Sequence, residues 1–167
     1  MEPRSQIDDA SSDEARALLQ ACCGSTRWVD RMLALRPFVT TASLLAAARR
    51  EWFSLTPEDW KEAFSHHPHI GDREAPRARF PTTHHLSEHE QSGMRAASDQ
   101  TIEALAQGNA AYERRFGYIF IVCASGKSAS ELLDLLTARM QNDPVSEVRI
   151  AAEEQAKITE LRLKQLN

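Results

Sequence analysis

The only histidines of this chain are His66, His67, His69, His84, His85 and His89, and they fall in or between two short stretches, "FSHHPHIGD" at 64–72 and "LSEHEQSG" at 86–93. Imidazole gains and loses a proton near neutral pH and is also the commonest metal ligand, so a concentration of it raises both chemistries. His67 with His69, or His84 and His85 with His89 and Glu90, supply enough nitrogen and oxygen for an ion. Neither HExxH nor a CxxC-based zinc pattern accompanies them, and adjacent histidines often point apart. His66, His84 and His85 read as solvated loop residues. His67 differs because Pro68 disfavours helical geometry for the residue before it, so the backbone aims this imidazole at the end of a helix.

Two further stretches carry polar chemistry. In "LSEHEQSG", Ser87 and Glu90 have capping-box spacing. Glu90 and Gln91 on that first turn, facing the loop that bears His67, could orient the imidazole or bind the polar edge of a small heterocycle. "FIVCASGKSASE" at 120–131 imitates a phosphate-binding loop, yet Ile121 stands where that loop needs a glycine, five residues before Gly126. What remains is backbone N–H entering a helix, a site for a small carboxylate or ureide.

The elements that must hold these groups are marked by helix punctuation. Ser12 with Asp13 and Glu14 opens "DEARALLQACC", which Gly24 closes. Ser25 opens "TRWVDRMLALR", which Pro37 ends. "TASLLAAARREWF" supplies helix formers with one apolar face. Thr56 as cap and Pro57 at the first position start a helix that stops at "SHHP". Residues 65–86 form a long loop of the kind that is functional or disordered in a compact domain. Residues 87–116 read as one long helix ended by Gly117. "YIFIVCA" at 118–124 has no second strand to pair with and reads as buried irregular or helical chain. Ser128 and Glu131 cap "ASELLDLLTARMQN", and Asp143-Pro144 starts a last helix to about Leu166, with Val148, Ala151, Ala152, Ile158 and Leu161 toward the core. The expected fold is an all-α multi-helix bundle, one domain over residues 1–167, with the long loop between the helices that flank the site.

Composition narrows the function classes. With 167 residues the chain can bury one sizeable core. A net charge of −4, with no basic block or basic-aromatic stripe, argues against a nucleic-acid partner. No apolar run reaches the roughly 20 residues a membrane helix needs. The N-terminal stretch is acidic and polar rather than signal-like, and "KQLN" is not an SKL-type ending, so the cytoplasm is the expected location. Cys22, Cys23 and Cys123 offer no plausible disulfide and read as buried apolar residues of a reducing compartment.

Five segments in order, "WVDRMLALRPF" (28–38), "HPHIG" (67–71), "SEHEQSG" (87–93), "NAAYERRFGYIFIVCASGKSASELLDLLTARMQND" (109–143) and "EQAKITELRLKQL" (154–166), resemble the OHCU decarboxylases. These enzymes act on 2-oxo-4-hydroxy-4-carboxy-5-ureidoimidazoline (OHCU) on the route from urate to allantoin. The resemblance implies an all-helical, cofactor-free, metal-free carboxy-lyase, commonly a homodimer, that produces (S)-allantoin in purine catabolism and is functionally coupled to hydroxyisourate hydrolase. It implies His67 as catalytic acid, Glu90 as its partner and Arg162 as an active-site cation. It implies substrate contacts from Pro68, from Ser87, Glu88, His89, Glu90 and Gln91, and from the backbone of Phe120, Ile121, Val122, Cys123 and Ala124. His69 and Leu86 depart from the usual family residues beside the site. The rival reading is a metal-dependent helical hydrolase built on the histidine cluster.

Overall fold

Runs of helix-favouring residues between serine, threonine and proline stops produce a chain of helices. In a computed structural model, which describes residues 2–68 and 99–166, they are α1 (Pro3–Asp8), α2 (Ser12–Cys22), α3 (Thr26–Ala34), α4 (Thr41–Phe53), α5 (Pro57–Phe64), α6 (Asp99–Phe116), α7 (Ala129–Arg139) and α8 (Pro144–Lys164). No strand occurs among the described residues, in keeping with the all-α expectation. None of these helices is long and apolar enough to cross a membrane.

The caps follow the punctuation closely. Ser25, Thr40 and Ser128 each accept a hydrogen bond from the backbone N–H three residues on. Pro57 opens α5, and the Thr56 hydroxyl accepts the Asp59 N–H at 3.4 Å. The start of α2 shifts by one residue from the expectation, because Ser11 rather than Ser12 is the cap. Ser11 Oγ accepts the Glu14 N–H at 3.2 Å while the Glu14 carboxylate accepts the Ser11 N–H at 2.9 Å. Ser12 has Ala15 three residues on and cannot make that reciprocal pair. Ahead of it, α1 buries Ile7, a helix that the polar composition of the N-terminus concealed. Gly117 ends α6 at φ +86°, its N–H returning to the Glu113 carbonyl at 2.8 Å.

The chain forms two compact units, Met1–Ala63 with Gln155–Asn167, and Phe64–Glu154. In the first, α1 packs on α2 and α4, and α3 packs on α2 and α4. Trp28 is fully buried and its indole N–H donates to the Ala48 carbonyl at 3.0 Å, so the polar handle of the largest core residue is satisfied. Trp60 does the same toward Trp52 at 3.0 Å, and their rings lie 6.1 Å apart. The turn after α3 is held from α1: the Asp8 carboxylate accepts the N–H of Phe38 at 3.0 Å and of Val39 at 3.2 Å. Those bonds keep Val39 at φ +71°, a conformation costly for a β-branched residue.

In the second unit, α6 packs on α7 at Gly108, where a Cβ would lie 2.7 Å from Leu136 Cδ2. This close approach explains a glycine inside a helix. Phe64, Tyr112, Phe116, Tyr118 and Phe120 form an aromatic cluster with ring centroids 4.6 to 6.3 Å apart in successive pairs. Along α8 the buried face is Glu147, Ala151, Ala152, Gln155, Ile158, Thr159, Arg162 and Leu163, whereas Val148 and Leu161 are only half-buried. Half of that face is polar, which a reading of apolar residues alone cannot recover.

All three cysteines are free and buried. Burial pushes the Cys23 thiol up to about 11, against weaker opposing contributions from Ser25, Thr159 and Arg162. The unfolded chain ionises this thiol near its ordinary value of 9.0 and the folded chain does not, so folding stability falls as pH rises through that window. The expected loss from this group is about 2–3 kcal/mol, complete near pH 11. Burial also raises Tyr112 and Tyr118, which steepens the decline above pH 10. Urea unfolding at pH 8 and pH 10.5 checks this: Cys23→Ala should show a clearly smaller loss than the unaltered chain.

Candidate active site

The end of α5 sets the first group. Pro68 disfavours helical geometry at His67, and the helix closes at Phe64 with the His67 N–H bonded to the Phe64 carbonyl at 3.2 Å. This turn separates two neighbouring imidazoles. His66 is exposed, while His67 is only 9% exposed and Pro68 is buried beside it. An enclosed imidazole can hold one orientation toward a bound molecule. His69, His84, His85 and His89 lie outside the described residues, as do Ser87, Glu88, Glu90 and Gln91. Among the described residues no group of three His, Cys, Asp or Glu side chains is placed to share an ion.

The second group is the run 118–124, buried along its whole length without helix or strand. Phe64, three residues before His67, stacks on Tyr118 at 5.1 Å, so the histidine turn and this run are anchored to each other's starting points within one unit. Irregular buried backbone must find partners for its polar groups. The Ile121 carbonyl accepts Arg139 Nη1 at 2.7 Å. The Cys123 N–H donates to the Glu154 carboxylate at 3.1 Å, and the Cys123 carbonyl accepts Lys127 Nζ at 3.0 Å. The Ala124 carbonyl accepts the Lys127 N–H at 3.0 Å across a turn in which Gly126 adopts φ +76°. Lys127 thus spends both its amine and its amide on the run's own carbonyls, and Ser128 caps α7, so the Gly-Lys-Ser triplet shapes the chain instead of cradling a phosphate. Among the described residues, the peptide groups of Phe120 and Val122 have no protein partner. Buried peptide groups without partners are rare, and polar edges of a small ligand can complete them.

A buried ionic network backs this run. Glu147 is fully buried and accepts Arg139 Nε at 2.8 Å, Arg139 Nη2 at 2.6 Å, Asn142 Nδ2 at 2.9 Å and the Tyr112 hydroxyl. The Arg139 guanidinium also lies 4.5 Å from the Phe120 ring centroid. Tyr112 is held protonated far above the ordinary tyrosine range, first by burial and then by its bond to Glu147. None of Arg139, Glu147, Tyr112 or Glu154 was singled out from sequence. The available signal was the i, i+4 succession Glu147, Ala151, Gln155, Thr159, which marks a buried stripe by spacing even where the residues are polar.

Arg162, the expected active-site cation, lies in the first unit, on the last turn of α8, and is 5% exposed. Its Nη1 is 3.4 Å from the Cys22 carbonyl at the end of α2, which Thr159 Oγ1 also approaches at 3.4 Å. Gln155 Nε2 donates to Thr159 at 2.9 Å. A cation at a helix C-terminus is favoured by the helix dipole.

A family model described as OHCU decarboxylase matches residues 8–164 of the chain. The chain is 37% identical over 148 residues to the uric acid degradation bifunctional protein TTL of Arabidopsis thaliana, which covers 88% of this chain but 45% of that protein's length. It is 30% identical over 131 residues to the 2-oxo-4-hydroxy-4-carboxy-5-ureidoimidazoline decarboxylase of Amia calva, covering 78% of this chain and 74% of that one. A solved structure of OHCU decarboxylase in the presence of (S)-allantoin superposes with a TM-score of 0.75 at 36% identity, covering 90% of this chain and 96% of the other.

The Glu154 anchor predicts a graded response. Glu154→Ala removes the acceptor of the Cys123 N–H and should cost about 1–3 kcal/mol in urea unfolding. Glu154→Gln, which keeps a carbonyl oxygen, should cost less than half as much.

Proposed function

The chain belongs to the OHCU decarboxylase family, and from that premise we propose that it converts OHCU to (S)-allantoin with its own side chains and no cofactor. The observation that carries this reading is the burial, within one unit, of His67 beside Pro68 and of the 120–124 run, in which the peptide groups of Phe120 and Val122 have no partner among the described residues. The likeness to a structure determined with (S)-allantoin supports the same reading.

Decarboxylation leaves an electron pair on carbon, and it proceeds only where that pair has somewhere to go. In OHCU the carbon that loses carbon dioxide belongs to an imidazolone ring whose conjugated C=N and carbonyl accept the charge. The protein therefore has three tasks: to hold the carboxylate out of the ring plane, to stabilise the enolate-like charge as it develops, and to deliver one proton to one face. His67 is the proton donor, a role worth about 10² to 10⁴ in rate. Glu90 holds its tautomer. Ser87, Gln91 and the peptide groups of Phe120 to Ala124 bind the ureido and ring edges, Glu88 and His89 complete that turn, Pro68 walls the imidazole, and Arg162 supplies a cation. Delivery to one face gives this enzyme its use, because spontaneous loss of carbon dioxide yields racemic allantoin.

On this reading residues 1–167 act as one catalytic domain, assembled as a homodimer in the cytoplasm. The bifunctional name of the Arabidopsis relative supports coupling to the hydrolase that supplies the unstable substrate.

Freshly generated OHCU, made from urate with urate oxidase and hydroxyisourate hydrolase, provides the test. His67→Ala should keep its helical circular dichroism and lose optically active product; stereospecific turnover at the unaltered level in that variant would refute the mechanism. Glu90→Ala should lower turnover per folded molecule, and a drop in stability alone would assign Glu90 to helix capping. Activity should survive dialysis against chelator, whereas loss that a divalent ion restores would favour the metal-dependent hydrolase.

A further inference from the structure

The run 118–124 is buried and belongs to no helix or sheet, so no ladder of backbone hydrogen bonds sets its course. Its course is set by side chains that reach in from α7, α8 and the turn before α7. Those anchors fall on the second half of the run: Arg139 takes the Ile121 carbonyl, Glu154 and Lys127 take the two polar groups of Cys123, and the Lys127 N–H takes the Ala124 carbonyl. Beside them, Phe120 and Val122 keep both polar groups without a partner among the described residues.

Arg139 is the anchor of greatest reach. It is 7% exposed and its partner Glu147 is 0% exposed. Burying an ion pair is expensive, and an apolar pair of similar volume often stabilises a fold as well or better. The arrangement makes more sense by what the guanidinium does beyond the pair. Nε and Nη2 are clamped on one carboxylate oxygen of Glu147, which fixes the plane, and Nη1 is thereby aimed at the Ile121 carbonyl at 2.7 Å. The same plane stands 4.5 Å from the Phe120 ring centroid. One rigid group therefore sets both a peptide orientation and the neighbouring side chain, which a lysine point charge cannot do. Asn142 and Tyr112, both donating to Glu147, hold the clamp in turn.

We propose that Arg139, clamped by Glu147, is a positioning residue of the decarboxylase: it fixes Ile121 and Phe120 so that the peptide groups of Phe120 and Val122 present one hydrogen-bonding edge to the substrate. This rests on the reading of function given above. The catalytic proton donor is untouched by it; Arg139 decides the pose in which the ring is held when the proton arrives.

The test compares the unaltered enzyme with the double variant Arg139→Met, Glu147→Gln, which removes both charges and leaves Tyr112 an oxygen acceptor, and with Arg139→Lys, which keeps the charge but loses the planar fork. Each is assayed with freshly generated OHCU for KM, kcat and the enantiomeric excess of allantoin, titrated with (S)-allantoin, and melted. The expected result for the double variant is a melting temperature close to the unaltered one, with KM raised about tenfold or more, (S)-allantoin binding weakened to match, and enantiomeric excess reduced. Arg139→Lys should fall between the two. Unchanged KM, product affinity and enantiomeric excess in a folded variant overturn the proposal while leaving the function standing. If the double variant does not fold, Arg139→Lys decides on the same three readouts. An unaltered protein that turns over no OHCU overturns the function, and the positioning role with it.

Discussion

A buried, irregular stretch of backbone poses a problem that helices and sheets solve automatically: its peptide groups need partners, and the protein must supply them one at a time. The second unit is organised around that constraint. Arg139 closes the Ile121 carbonyl, Glu154 and Lys127 close Cys123, and Lys127 closes Ala124. Arg139 could not be buried without Glu147, and Glu147 brings Tyr112 and Asn142 with it. The aromatic cluster then packs around the guanidinium, with Phe120 on its face and Tyr112 at 5.9 Å. The desolvation penalty of the ion pair is borne by a fold that gains from it a fixed course for the irregular run.

The setting of His67 depends on an ending. A helix stopped by proline delivers the residue before the proline in a direction set by backbone geometry. At His67 this places one imidazole in an enclosed setting while its neighbour His66 stays in solvent. The count of histidines had raised metal binding; burial distinguishes one of them from its neighbour.

The buried residues of the last helix are divided between the two units. Its first part contributes Glu147 and Glu154 to the second unit, and its later part contributes Gln155, Thr159 and Arg162 to the first. There the row Gln155, Thr159 and Arg162 leads to the Cys22 carbonyl at the end of α2, where the helix leaves carbonyls without partners. The polar members of the stripe are buried because each has somewhere to donate or accept.

Much of this protein was legible in one dimension, and the reason is local. Helix starts depend on a side chain and the N–H three residues on, and helix stops on glycine and proline. Ser25, Thr56, Ser128, Gly117 and Pro68 could therefore be read directly, and with them the all-α class, whereas 118–124 could be read only as buried chain, irregular or helical. The family too was legible, since its segments recur in order. Even here the choice between Ser11 and Ser12 turned on a reciprocal bond that two adjacent serines leave open in sequence. What tertiary structure alone decided is non-local. Arg139 meets Ile121 across 18 positions and Cys123 meets Glu154 across 31, and Ile7 is buried despite its polar neighbourhood. A charged residue in a helix looks solvated until its partner is known, and burial of a charge is determined by the partner that the fold brings to it.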